Sequence, residues 1–144
     1  MRPAHFIRQL EDEKIVAAIR EAEHGTSGQI RVHISHRKIS DALAQAQNRF
    51  EKLGMTKTRE RNAVLIYVAP RARKFAVVGD IAVHAKCGEE FWKKVSAEMT
   101  RDLQNASPTN AIVNAVKKIG ALLAEHFPPQ PNEQNELPDK VERD

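Results

Sequence analysis

A single cysteine, Cys87, in 144 residues excludes an internal disulfide and any zinc site built from cysteines, and a reducing compartment is the simpler setting. Aromatics are scarce, with five Phe, one Tyr and one Trp, so a base-stacking platform for nucleic acid is not expected. The glycines are scattered, and no glycine-rich phosphate loop, nucleophile elbow or paired-aspartate phosphatase motif is legible. Long apolar runs are missing too. The chain leads from Met1-Arg2-Pro3-Ala4-His5 into charge, and its most apolar late stretch, 111–127, is broken by Lys117 and Lys118. Neither a signal peptide nor a membrane span is expected, and the location expected is cytoplasmic.

Charge, by contrast, is plentiful and unevenly placed. The 23 Lys and Arg against 19 Asp and Glu leave a net of +4. Residues 128–144 hold five of the acids and two of the bases, a net of −3, which leaves +7 on residues 1–127. The late segment also carries four of the seven prolines and few large apolar side chains. Too little surface is available there to offset ordering entropy, so the expectation is one domain, 1–127, followed by a disordered acidic tail, 128–144.

Within the domain the hydrophobic periods alternate. Ile15, Val16, Ile19 and Ala22 recur at helical spacing over 11–23, with Gly25 just beyond. Residues 29–35 then alternate strictly, with Ile30, Val32 and Ile34 on one face, which predicts a strand packed mainly on one side. Leu43, Ala46, Phe50 and Leu53 mark a second helix capped by Ser40 or Asp41. The run Ala63 to Ala69 is continuous and apolar, which fits a strand covered on both faces. A turn at Pro70-Arg71-Ala72-Arg73 returns the chain through Lys74 to Val78 as a hairpin. Phe91, Trp92, Val95 and Met99 predict a third helix opening near Gly88. Ser107-Pro108 followed by Ile112, Val116, Ile119 and Leu123 predicts a fourth. The crossover makes strands 1 and 2 parallel, the hairpin makes strand 3 antiparallel, and the order 1-2-3 follows with the most apolar strand central. The fold class is α/β, a three-layer α/β/α sandwich with a small mixed sheet flanked by about four helices.

This topology sorts the loops onto two sheet edges. One collects Arg37 and Lys38 with Arg71, Arg73 and Lys74, a candidate anion-binding edge assisted by the basic body. The other collects Glu23, Thr26, Ser27 and Gly28 with Asn62, Gly79, Asp80 and His84. Glu23 and Asp80 as charged ligands, with Thr26 and Ser27, form a candidate site for calcium or another divalent cation, because hard cations take oxygen ligands. Gly28, Asn62, Gly79 and His84 would support it. The plainer reading is that Asp80 caps the turn after strand 3 and Glu23 is a solvated helix residue. His33 and His36 fall on opposite faces and do not make a shared metal site. Cys87 reads as an inert thiol, since Lys93 stands where a cysteine phosphatase needs arginine.

HGTSGQIRVHI (His24 to Ile34), RFEKLGMTKTRERNAVLIYVAPRARKFAVVGD (Arg49 to Asp80), HAKCGEEFW (His84 to Trp92) and AIVNAVKKIGALLAEHFP (Ala111 to Pro128) together resemble the TPM domain family in its short, single-domain bacterial form. The resemblance implies an α/β/α sandwich. Plant relatives are linked to photosystem II repair and acid phosphatase activity, an animal relative modulates receptors, some bacterial relatives bind calcium, and short ones accompany LemA-type membrane proteins, which implies such a partner here. Thr26, Ser27, Gly28, Asn62, Gly79 and Asp80 match the family pattern. The chain departs from longer members after strand 3, where Gly79-Asp80-Ile81-Ala82-Val83-His84 replaces a glycine-aromatic-glycine segment and acidic loop. Three functions are therefore expected to compete. The first is a calcium-binding accessory or interaction module. The second is a metal-assisted phosphatase in which His84 or Asp80 handles the proton. The third is a module for anionic partners at the basic edge.

Overall fold

A computed structural model describes residues 10–129 and 140–144. The order along the chain is α1 (Asp12–His24), β1 (Gln29–Ile34), α2 (Ala42–Lys52), a 3₁₀ turn, β2 (Ala63–Ala69), a second 3₁₀ turn, β3 (Lys74–Gly79), α3 (Ile81–Asn105), α4 (Pro108–His126) and β4 (Val141–Arg143). The mixed sheet has the order β3-β2-β1-β4. β1 and β2 are parallel, with Ile30 beside Val64 and Val32 beside Ile66. β2 and β3 are antiparallel, with Ile66 beside Val77. β2 and β1 take the interior positions, and both are buried along their whole length.

The even positions Ile30, Val32, Ile34, Val64, Ile66 and Val68 form the main core with α1, α3 and α4, through Ile15, Ile19, Val95, Met99, Ile112 and Leu123. On the opposite face Tyr67 packs with Ala42 and Ala46, and Leu65 with Phe50. This is the expected sandwich, with three helices on one side and α2 on the other. The caps follow from local chemistry. Asp41 accepts the Ala44 amide at 3.0 Å, and Ser107 accepts that of Asn110 at 3.2 Å, with Pro108 in the first turn.

Three expectations change. The third helix starts at Ile81 rather than near Gly88, because Asp80 caps it. Gly88, at φ 76° and ψ 174°, is a kink inside it, a conformation that glycine alone adopts without strain. Strand 1 is not packed on one side only, since Gln29, Arg31 and His33 are buried as well as its apolar residues. For Arg31 and His33 the tail contributes, and that is the third change. The tail expected to be disordered ends in β4, which pairs with β1 as Val32 beside Val141, His33 beside Glu142 and Ile34 beside Arg143. Average composition hid a Val-Glu-Arg-Asp segment whose alternation suits an edge strand. Residues 130–139 of that tail lie outside the described residues.

Candidate functional site

The loops before β1, before β2 and after β3 meet at one sheet edge, as the topology requires, and hydrogen bonds tie them to each other and to the end of α4. Thr26 Oγ1 donates to the Phe127 carbonyl and accepts the Gly28 amide at 3.0 Å. The Ser27 amide reaches the same carbonyl at 3.0 Å. Ser27 Oγ donates to the Glu60 carboxylate. Asn62 Nδ2 donates to Ser27 Oγ at 3.1 Å and to Glu60 Oε2 at 3.0 Å. Gly28 is required by close approach, since a Cβ there would meet Leu123 Cδ1 at 2.9 Å. Thr26, Ser27 and Asn62 are buried, Glu60 is exposed, and Asn62 Oδ1 is buried without a hydrogen-bond partner.

Asp80 and Arg61 complete this edge. The Asp80 carboxylate accepts Arg61 Nε at 2.6 Å and Nη2 at 2.7 Å, and it also takes the Ile81 amide at 2.8 Å as the cap of α3. The paired carboxylate raises the Arg61 pKa, against a smaller opposing effect of burial. Arg61 has φ 54°, and its carbonyl accepts the Ala82 amide at 3.2 Å, so the loop before β2 is fastened to the first turn of α3. Gly79 serves packing, because a Cβ would lie 2.6 Å from Trp92. His84 is exposed and rests against Trp92, ring centres 5.1 Å apart. Glu23 is turned elsewhere. Its carboxylate accepts the Ile30 amide at 2.8 Å and so covers the outer edge of β1. Burial, then the nearby Glu125 carboxylate, pushes the Cys87 thiol up, against Lys86, which suits an inert thiol.

At the other end of the sheet Arg37, Lys38, Arg71, Arg73 and Lys74 are all exposed, and Lys74 donates to the Ser40 carbonyl. The acidic tail enters here, although sequence reasoning kept it apart. Asp144 Oδ2 lies 3.2 Å from Arg49 Nη2, 3.2 Å from His33 Nε2 and 3.8 Å from Arg37 Nε. Arg31 pairs with Glu142. Burial would raise the Asp144 carboxyl, but hydrogen bonds from Ser35, His33 and the His36 amide outweigh it and hold the pKa below the usual range. Burial pushes His33 down, against the opposing Asp144.

Two sets of residues therefore come together: oxygen donors with one guanidinium at the first edge, and basic groups closed by tail acids at the second. Glu60, Arg61, Arg31, His33, Arg49 and Asp144 had no assigned role in the sequence reading. For Arg31 and His33 the signal was present, since strict alternation places them on one face of a strand. Among the described residues no group of three or more His, Cys, Asp or Glu converges as a metal cluster. The polar edge offers two carboxylates supplemented by neutral oxygens. The orphaned Asn62 Oδ1 is compatible with a hard cation, whereas the Arg61 guanidinium has to leave Asp80 for one to reach it.

A family model described as TPM domain matches residues 1–122. Among solved structures, the NMR structure of the BA42 protein from the psychrophilic bacterium Bizionia argentinensis is similar, with 32% identity, a TM-score of 0.85, and 94% of this chain and 95% of that chain covered. The N-terminal domain of the cg2496 protein from Corynebacterium glutamicum has 12% identity and a TM-score of 0.60 over 90% of this chain and 75% of that one, a likeness of fold alone. Among curated proteins none matches. No helix among the described residues is long and apolar enough to cross a membrane.

Proposed function

The chain belongs to the TPM domain family, and from that membership we propose that it is a divalent-cation-binding interaction module whose site is the polar edge. The observation that carries this reading is the buried, unpartnered Asn62 Oδ1 on the side chain whose amide nitrogen holds both Ser27 and the exposed Glu60 carboxylate. A hard cation satisfies such an oxygen where no donor does. Glu60 and Asp80 supply charge, Ser27 and Asn62 supply neutral oxygens, and Arg61 is the group that the cation replaces at Asp80. Thr26 holds the loop through the Phe127 carbonyl, and Glu23 guards β1. Two carboxylates and an irregular oxygen set favour calcium over magnesium, with weak affinity on the order of 0.1 to 1 mM.

Two-dimensional NMR during calcium titration tests this. The Ser27, Asn62 and Ile81 amides are expected to shift together and saturate in the millimolar range. The response is expected to weaken in Glu60→Gln and in Asp80→Asn. Flat spectra, or equal shifts in wild type and both variants, overturn the assignment.

A further inference from the structure

The tail strand is recognised residue by residue. Parallel neighbours share a face, so the pairing of His33 with Glu142 puts Glu142 and Asp144 on the side of Arg31 and His33. Val141 and Arg143 fall on the other side. There Val141 packs against the main core and Arg143 Nη2 reaches Asp12 Oδ1 of α1 at 2.6 Å. Glu142 meets Arg31, and Asp144 meets His33, Arg37 and Arg49. The Asp144 amide donates to the Ile34 carbonyl at 3.3 Å, while the His36 amide donates to Asp144 Oδ1 at 3.1 Å.

The receiving surface carries more polar capacity than this tail uses. Arg31 is 3% exposed and His33 1% exposed, yet Arg31 Nε and His33 Nδ1 have no hydrogen-bond partner. A buried guanidinium and imidazole beside an edge strand are unusual in a wall that only closes a core, since their desolvation needs compensation. They are the expected lining of a groove for acids. The ligand must also be a peptide. Backbone groups at Ile34 are met by tail backbone, and the two acid-binding positions are spaced by one strand period, neither of which a small anion reproduces. Glu23 on the Ile30 amide closes the edge beyond, so the groove is short.

We propose that the outer edge of β1 is a docking groove for an extended acidic segment of a partner protein, which adds as a parallel strand in the pattern apolar–acid–any–acid, and that residues 141–144 fill it in cis as a displaceable plug. Only three residues of the plug are paired with β1, so a partner segment of the same pattern competes for the same contacts. The groove lies at the opposite end of β1 from the polar edge, and the proposal stands independently of cation binding.

The test uses the full chain and a fluorescein-labelled peptide, Lys-Val-Glu-Arg-Asp. The double variant Glu142→Gln/Asp144→Asn weakens the plug without touching the groove, so it is expected to bind the peptide roughly tenfold tighter than wild type, because the competent fraction rises. A peptide with Gln and Asn in place of its acids is expected to bind at least roughly tenfold more weakly, since two charge contacts are lost. Equal binding of the two peptides, or no binding to a variant that melts cooperatively, overturns the proposal. If the variant does not fold, wild type with excess acidic peptide decides. Shifts at the chain's own Glu142 and Asp144 amides, as the plug is released, sustain the proposal, and unchanged spectra overturn it. A wild-type dimer that the double substitution dissociates assigns the groove to a second copy, and overturns it as well.

Discussion

The two ends of β1 are both crowded with polar side chains, yet they are assembled from different material. At the polar edge three loops and the end of α4 are laced together by hydrogen bonds: Thr26 and Ser27 to Phe127, Asn62 to Ser27 and Glu60, Arg61 to Asp80. Each of these loops begins or ends a core strand or helix, so the edge cannot open without loosening β1, β2 or α3. At the other end the acids come from residues 142 and 144, more than ninety positions away from Arg31, His33 and Arg49, on a strand of three residues. Of the residues in β4 only Val141 packs against the hydrophobic clusters, and only as a partly buried neighbour, so loss of that strand is expected to leave the other described strands and helices assembled. A polar cluster belongs permanently to a fold when its members also terminate core elements. It is removable when one side of it is a short segment that does nothing else.

The largest expected effect lies on the permanent side. Gly79→Val forces a side chain into the ring of Trp92, where even a Cβ would stand at 2.6 Å and Val83 Cγ1 leaves only 3.1 Å. Overpacking of this kind is expected to lower stability by about 3 kcal/mol, read as a fall in the urea midpoint. A loss under about 1 kcal/mol would mean that Trp92 yields and that the edge is looser than its contacts indicate. A smaller effect is expected from Glu142→Gln, about 1 kcal/mol, although it unpairs a buried arginine. Breaking a fully buried pair typically costs about 3 to 5 kcal/mol, but here the plug can lift and let water reach Arg31, which caps the loss at the plug's own docking energy. A loss as large as that for Gly79→Val would erase the distinction between the two ends.

The difference also explains what the sequence disclosed. The convergence of Thr26-Ser27-Gly28, Asn62 and Gly79-Asp80 was legible because a βα crossover and a hairpin leave those loops nowhere else to go. The fold class and the caps Asp41 and Ser107 were legible for the same local reasons. The start of α3 was misjudged because Gly88 looks like a boundary, when Asp80 had already supplied the cap. The partner of each polar side chain was not legible. Glu23 binds a backbone amide seven residues on, and Asp80 binds Arg61 rather than an open loop. The plug was least legible of all. Five residues in a proline-rich acidic segment carry no periodic signal long enough to register, and their ordering comes from buried basic groups on a strand far away in the chain.

The smallest expected effect is a pH dependence, and it separates the two ends most finely. Burial holds the His33 pKa below 6.5, while Asp144, just after β4, and Glu142 within it oppose that shift and Arg49 of α2 adds to it, with Tyr67 stacked at 5.3 Å and Arg37 3.8 Å from the Asp144 carboxylate. A histidine depressed in the folded state favours folding fully above its unfolded pKa. Stability is therefore expected to fall as pH drops from 6.5 through the lower folded value, and then to level. Asp144 acts in a separate window, with its contribution present above 3.8 and lost only as pH falls through its lowered folded value. Asp144→Asn turns the histidine into a reporter. If β4 stayed seated, His33 would lose the opposing carboxylate, its pKa would drop further, and the loss of stability would extend to lower pH. If β4 lifts, water reaches the imidazole, its pKa climbs back toward 6.5, and the stability loss near that pH disappears. The second outcome is expected of a plug. NMR titration of the His33 ring in the two proteins distinguishes them by the direction of one shift, and a downward shift would place β4 among the permanent strands.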